Sequence, residues 1–479
     1  MFRATLLLLC VLQIGCQEKS NTDSISKTDA AAPGEWLAPT GLVPEFKQRP
    51  GNPDKGRYAL LHEPYVNCGT PERVFRELQS SFAEGANTIE VSGRDSTMDG
   101  LPYFVNRVIG RTGTPVVSSN CLTCHGTELF GELIIGLGNE FADFTQDPSI
   151  NVERAGALVR GDAETAEWER FANRIAAIAP YTQTQTVGVN PANNLTFALI
   201  SHRDAKTNAW LTQPQLPSPP VNPPPVSVPP WWRMSKKNAM FNLSEGREDH
   251  ARIMLAASML CADSLDELNA IDQYAPDVRA YLASLTPPAY PFPVDGSLAA
   301  QGKTIFETNC SGCHGTYGED GRYPNEVVPI DLVNTDPRLI EVATDDIGFQ
   351  YAQWFNSSWY GELSDVAPAK GYVAPPLDGI WATAPYLHNG SVPNIQLLLN
   401  SGQRPTLWRH IPTDASDPDS YDTINLGWNH ESIAAGVTPS DDVRIYDTRR
   451  AGYSMRGHTF GDALSEAARA AVIEYLKTL

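Results

Sequence analysis

Cys310-Ser311-Gly312-Cys313-His314 and, earlier in the chain, Cys121-Leu122-Thr123-Cys124-His125 decide how this sequence is read. Both runs are C-x-x-C-H, the attachment motif of haem c. The two thiols add covalently to the haem vinyl groups, and the adjoining His is placed to bind iron from one side. Eight Cys and nine His in 479 residues would yield, by chance, on the order of 0.003 such motifs. Structural zinc pairs or redox dicysteines are the lesser alternative. The reading is a c-type cytochrome with two covalently bound haems.

The N-terminus says where the haem is attached. Arg3 precedes an apolar run, Leu6 to Leu12, too short to cross a bilayer and matching a signal-peptide core. Gln13-Ile14-Gly15-Cys16 follows and resembles a lipobox ending in the modified Cys, with Gln where Leu is usual. Residues 1–16 are therefore read as a signal, a lipoprotein signal in the first reading and an ordinary cleaved one in the second. Residues 17–45 read as a flexible tether. The expected location is the periplasm, on a lipid anchor at Cys16, with secretion as the alternative. Beyond the haem thiols, Cys68 and Cys261 remain, either as a disulfide or as two unrelated buried thiols.

The chain is 42% apolar and 19% charged, which is globular, and too long for one core. Its net charge of −20 argues against nucleic acid and against anionic lipid surfaces as partners. The expected fold is mainly α: two cytochrome c-type domains, the N-terminal one (46–286) enlarged by long loop insertions, a proline-rich linker (287–296), and a C-terminal one (297–479). Ser264 is expected to cap a helix running to about Leu285. Further helices are expected over 164–179 and 245–260, before Cys310, and at 465–476. Nine of the seventeen residues between Pro214 and Pro230 are proline. They read as an extended strap laid over the N-terminal domain and ending in Trp231-Trp232.

His125 and His314 are the proximal ligands. Near the C-terminus both Met455 and His458 can bind iron, and the flanking glycines let that loop approach closely. Chemistry alone leaves the two open.

Ala374 to Val392 contains Thr383-Ala384-Pro385-Tyr386-Leu387-His388-Asn389-Gly390. This string is similar to one in bacterial dihaem cytochrome c peroxidases. Gly379-Ile380-Trp381 before it, and Gly457-His458-Thr459-Phe460-Gly461 after it, resemble most the branch containing the rubber oxygenases. Cys310 to Tyr317, Tyr323-Pro324-Asn325, and Pro229 to Trp232 with Lys236-Lys237 fit that branch too. The resemblance implies that His458 is the distal ligand of the second haem, with Met455 as fallback. It implies that the second haem transfers electrons while the first reacts with peroxide or dioxygen. It also puts Trp231 and Trp232 near the first haem, where one lines a distal pocket unless both only anchor the strap. His388 is implied to be structural. His62, His202 and His250 are the remaining sixth-ligand candidates for the first haem. A calcium ion between the domains is a further candidate cofactor, although no acidic loop reads as its site. The partners expected are a redox protein or a small electron donor. The rival reading is a non-enzymatic electron carrier with both irons closed.

Overall fold

The computed structural model describes residues 36–79, 89–434 and 442–479. The expected signal, Cys16 and most of the expected tether lie outside the described residues. Among those described, no helix is long and apolar enough to cross a membrane.

In the C-terminal half the helix Gly296–Asn309 leads straight into the second motif, as expected. Its N-cap is Asp295, whose carboxylate accepts from the backbone N–H of Ser297 and of Leu298, each at 3.0 Å. The next turn, Ser311–His314, carries Cys313 and His314. The closing helix Glu466–Leu476 starts at the expected cap, Ser465, whose Oγ accepts from the Ala468 N–H at 3.2 Å. These two helices cross closely because Gly302 lies against the Ala471 carbonyl, which any Cβ there would strike. Phe306 and Tyr475 then pack ring to ring at 5.3 Å.

The N-terminal half uses the same device with different parts. Helix Pro53–His62 packs on helix Ala275–Ser284, with Gly56 against the Asp277 carbonyl. The helix expected from Ser264 to Leu285 is in fact two, Leu265–Asp272 and Ala275–Ser284. Pro276 explains the break, since it can begin a helix but not continue one. The first motif is delivered by a strand, Pro115–Ser119, at the centre of a small antiparallel sheet, not by a helix. The helix expected over 245–260 is also corrected. Gly246–Glu248 is a strand, Asp249 caps a short helix His250–Met254, and a 3-10 stretch follows. Cys68 and Cys261 are joined in a disulfide.

The proline-rich segment is a strap. Pro223 to Val226 are buried, Val226 pairs with Asn190, and the Ser227 N–H donates to the His388 carbonyl at 2.8 Å. The strap therefore touches both halves.

Other segments cross between the halves as well. Directly after the first motif, strands Gly126–Leu129 and Glu132–Ile135 form a hairpin. Its tip residue Phe130, held at a φ of 52°, enters a cluster of Phe292, Trp381, Tyr421 and Trp428 from the second half. In exchange, Tyr351, Trp354, Phe355, Trp359 and Tyr360 complete the N-terminal core. The proline-rich linker is itself packed: Tyr290 and Phe292 join the aromatic cluster, and the Pro288 carbonyl accepts from the Trp381 indole N–H at 3.1 Å.

Gly302→Ala should destabilise the protein by about 2 kcal/mol, because the helix pair has no room to yield to a Cβ. Gly296→Ala, where nothing stands within 4 Å of the added carbon, is the control and should stay within about 0.5 kcal/mol of wild type. Urea denaturation followed by far-UV circular dichroism measures both.

Candidate haem centres

Cys310, Cys313 and His314 open into a cavity of about 350 Å³. His458 faces it from the loop before the closing helix. The rings of His314 and His458 lie 6.2 Å apart between centroids. An iron bound by two imidazoles, at about 2 Å from each nitrogen, needs ring centroids about 6 Å apart. The pair therefore fits a bis-histidine haem. The His314 Nδ1–H donates to the Pro375 carbonyl at 2.9 Å, which leaves Nε2 free as the metal-binding nitrogen. Burial lowers His314 and pushes His458 down to about 3, so both rings are neutral, the form that binds iron.

His458 is held by devices the sequence did not advertise. Its N–H donates to the Val333 carbonyl at 2.8 Å while its own φ is 46°. Gly457, at φ 77°, presses on the backbone of Asn334 where no side chain fits. The Arg404 guanidinium gathers the carbonyls of Met455, Gly457 and His458 at 2.6, 2.7 and 3.1 Å. Met455 thus contributes its carbonyl to the staple. Its side chain packs at the edge of the core and does not line the cavity. Thr383, Pro385, Tyr386 and His388 of the family-like string do line it. The His388 ring stacks on Tyr372 at 4.1 Å.

At the first motif, Cys121 and Cys124 are half-buried and unpaired. The His125 ring stacks on Trp231 at 4.6 Å, with planes 20° apart. Its Nδ1 is buried beside the Pro229 carbonyl without completing a hydrogen bond, and burial lowers the imidazole to about 4. The cavity beside Cys121 is small, about 30 Å³, and is lined by Tyr65, Met254, Leu255 and Tyr274 among others. Burial pushes Cys121 up to about 11 and Cys124 to about 12, and Cys310 to about 11. A redox dicysteine needs the opposite shift.

Trp231, one of the two residues expected at a distal pocket, lies against the His125 ring. Trp232 points away, its indole N–H donating to the Asp378 carbonyl at 2.8 Å. None of the other candidate histidines is brought to His125. His62 stacks on Tyr58 at 4.2 Å, and His202 on Trp210 at 4.9 Å. His250 approaches the Asn238 carbonyl with Nε2 at 3.4 Å. Among the described residues no group of three or more His, Cys, Asp or Glu forms a metal-binding set, so the calcium expectation gains no support.

Residues 299–388 match the family model of cytochrome c, and residues 371–409 that described as RoxA-like, cytochrome c-like. A cytochrome c domain is present in the C-terminal half. It carries covalently bound haem c, and haem-based electron transfer comes with it. Two uncharacterized proteins of Sinorhizobium fredii are similar. One, y4iM, is 30% identical over 245 residues, covering 42% of this chain and 53% of that protein. The other, y4iJ, is 29% identical over 310 residues, covering 50% and 48%. The matches thus span about half the length of these curated relatives.

Between the two motifs lies Glu140, which sequence reading missed, since a lone acid in Gly138-Asn139-Glu140-Phe141 carries no signal. It is 4% exposed, and accepts a hydrogen bond from the Ser227 hydroxyl at 2.8 Å through Oε1. Burial pushes its carboxyl from 4.5 up to about 8. The fold keeps a proton there that the unfolded chain gives up above about pH 4.5, so this group's contribution to stability falls between about pH 4.5 and 8. Glu140→Gln should therefore stabilise the protein more at pH 8 than at pH 5, by on the order of 4 kcal/mol. Equal urea midpoint shifts at the two pH values would mean that the carboxyl is ionised in the fold.

Proposed function

We propose that this chain is an exported dihaem c-type oxidoreductase of the rubber-oxygenase and dihaem-peroxidase kind. In it the second site relays electrons and the first reacts with peroxide or dioxygen. The observation that carries this is an asymmetry. His314 has an imidazole counterpart, His458, at the spacing of a closed bis-histidine iron. Among the described residues no imidazole is in ring contact with His125, and His62, His202 and His250 are engaged elsewhere. Haem bound at the two motifs would supply one-electron exchange, and at the first a place where a small oxidant binds.

The chain's own residues support a link between the sites. Trp231 lies on His125, while Pro230 and Arg233 of the same turn line the second cavity. An electron leaving the second site thus has a short covalent and packed path to the first histidine. The electron source is a redox partner protein or small donor. Nucleic acid is no partner of so acidic a chain. The same reading places the protein in the periplasm, anchored only by lipid at Cys16, or secreted if Cys16 is removed.

The rival reading is a pure electron carrier with both irons closed.

Electron paramagnetic resonance of the oxidised holoprotein distinguishes the two. The oxidoreductase should show one low-spin and one high-spin ferric signal, with two haems per chain by pyridine haemochrome assay. His458→Ala should abolish only the low-spin signal. Two low-spin signals in the oxidised protein, with no high-spin ferric signal appearing once one electron per chain has been added, would establish the carrier. A single haem per chain would overturn both.

A further inference from the structure

Arg233 is 6% exposed, and it lines the cavity shared by Cys310, Cys313, His314 and His458. Its hydrogen bonds go only to neutral oxygens: Nε donates to the Asp378 carbonyl at 3.2 Å and Nη2 to the Thr383 hydroxyl at 3.4 Å. Among the described residues no carboxylate stands within ion-pair distance of it. The acid whose charge reaches it, Asp378, is held by Lys236 through both oxygens, at 2.7 and 2.9 Å. A guanidinium has five donors in a planar fork, and here most of them are unused.

A buried, unpaired guanidinium is costly, and such groups persist where an anion completes them. The wall around this one is mostly apolar, with Phe306, Leu377 and Ile380 among its residues. Its cavity is the one that receives the haem of the cytochrome c domain. A haem carries two propionate carboxylates, whose planar geometry matches the guanidinium fork.

We propose that Arg233 is the counter-ion of a propionate of the second haem and sets that haem's reduction potential. The inference rests on the two-site reading above and adds to it a charge the motifs do not encode. A fixed positive charge in a water-poor cavity favours the iron state of lower charge, so Arg233 raises the potential. Arg233 also lies two residues after Trp231, on the turn that reaches His125, so the charge sits at the junction of the two sites.

The test is a potentiometric titration of the full-length holoprotein, followed through the low-spin ferric signal, for wild type, Arg233→Gln and Arg233→Lys. Arg233→Gln should lower the potential of the low-spin haem, with its reduction equilibrium moving about tenfold, or about 59 mV for one electron. The other haem should move less. Arg233→Lys, which keeps the charge but not the fork, should recover most of the shift. An unmoved potential in Arg233→Gln, or equal shifts in both variants, would overturn the role of Arg233. If Arg233→Gln loses the haem, Arg233→Lys decides. Retention of haem near the wild-type potential supports the proposal, and loss of haem overturns it. Wild-type protein that lacks a bis-histidine signal overturns the two-site reading itself, a result distinct from any variant outcome.

Discussion

Everything near the two motifs depends on one clamp, the turn Trp231–Lys236. The Trp231 N–H donates to the Gly136 carbonyl at 2.8 Å, and Gly136 in turn donates to the carbonyl of His125. The Trp231 ring covers His125, while Trp232 and Arg233 both reach the Asp378 carbonyl. These bonds are buried or half-buried, and breaking one leaves a polar group with poor access to a solvent substitute. The distance and angle between the two sites are therefore fixed by a few residues at the end of the proline strap. The prolines suit that task because their φ is already restricted, and little chain entropy is lost on laying the strap down.

The electrostatics of the interior follow the same logic. This acidic chain of net charge −20 buries several charged side chains, most of them with hydrogen-bonded partners. The Asp263 carboxylate, near the disulfide, is bonded by the buried Arg174 and Arg203 at 2.7 Å each and is held at about 2. Glu140 and Arg233 are different. One carboxyl and one guanidinium are buried around the same strap without a mutual ion pair, one proton-loaded and the other beside the second cavity. Structural ion pairs satisfy themselves, whereas these two groups do not, which is the pattern functional sites show.

Much of this was legible in the chain. The motifs, the capping serines Ser264 and Ser465, the strap, and the position of His458 beside His314 are where the residues and the family resemblance place them. The rest was not, for identifiable reasons. The contact between Trp231 and His125 could not be read, because sequence gives a segment's neighbours along the chain but not what it packs against. The helix expected over 245–260 yielded to a strand that pairs with Ser364–Val366, a tertiary contact that propensity does not contain. Arg404 and Arg233 look like any surface arginine until the fold closes around them. Cys68 and Cys261, 193 residues apart, were left by elimination as a disulfide or two buried thiols, and the fold decides for the disulfide.

The Phe130 hairpin carries a consequence for biogenesis. It follows the first motif by only a few residues, yet its socket of Trp381, Tyr421 and Trp428 belongs to chain made much later. Until that socket exists, the hairpin has nowhere to bury its tip, and the strand pair alone is too small to hold its shape. Cys121 and Cys124 accordingly stay reachable while the rest of the chain is still arriving. Docking of the second half then closes over the finished site.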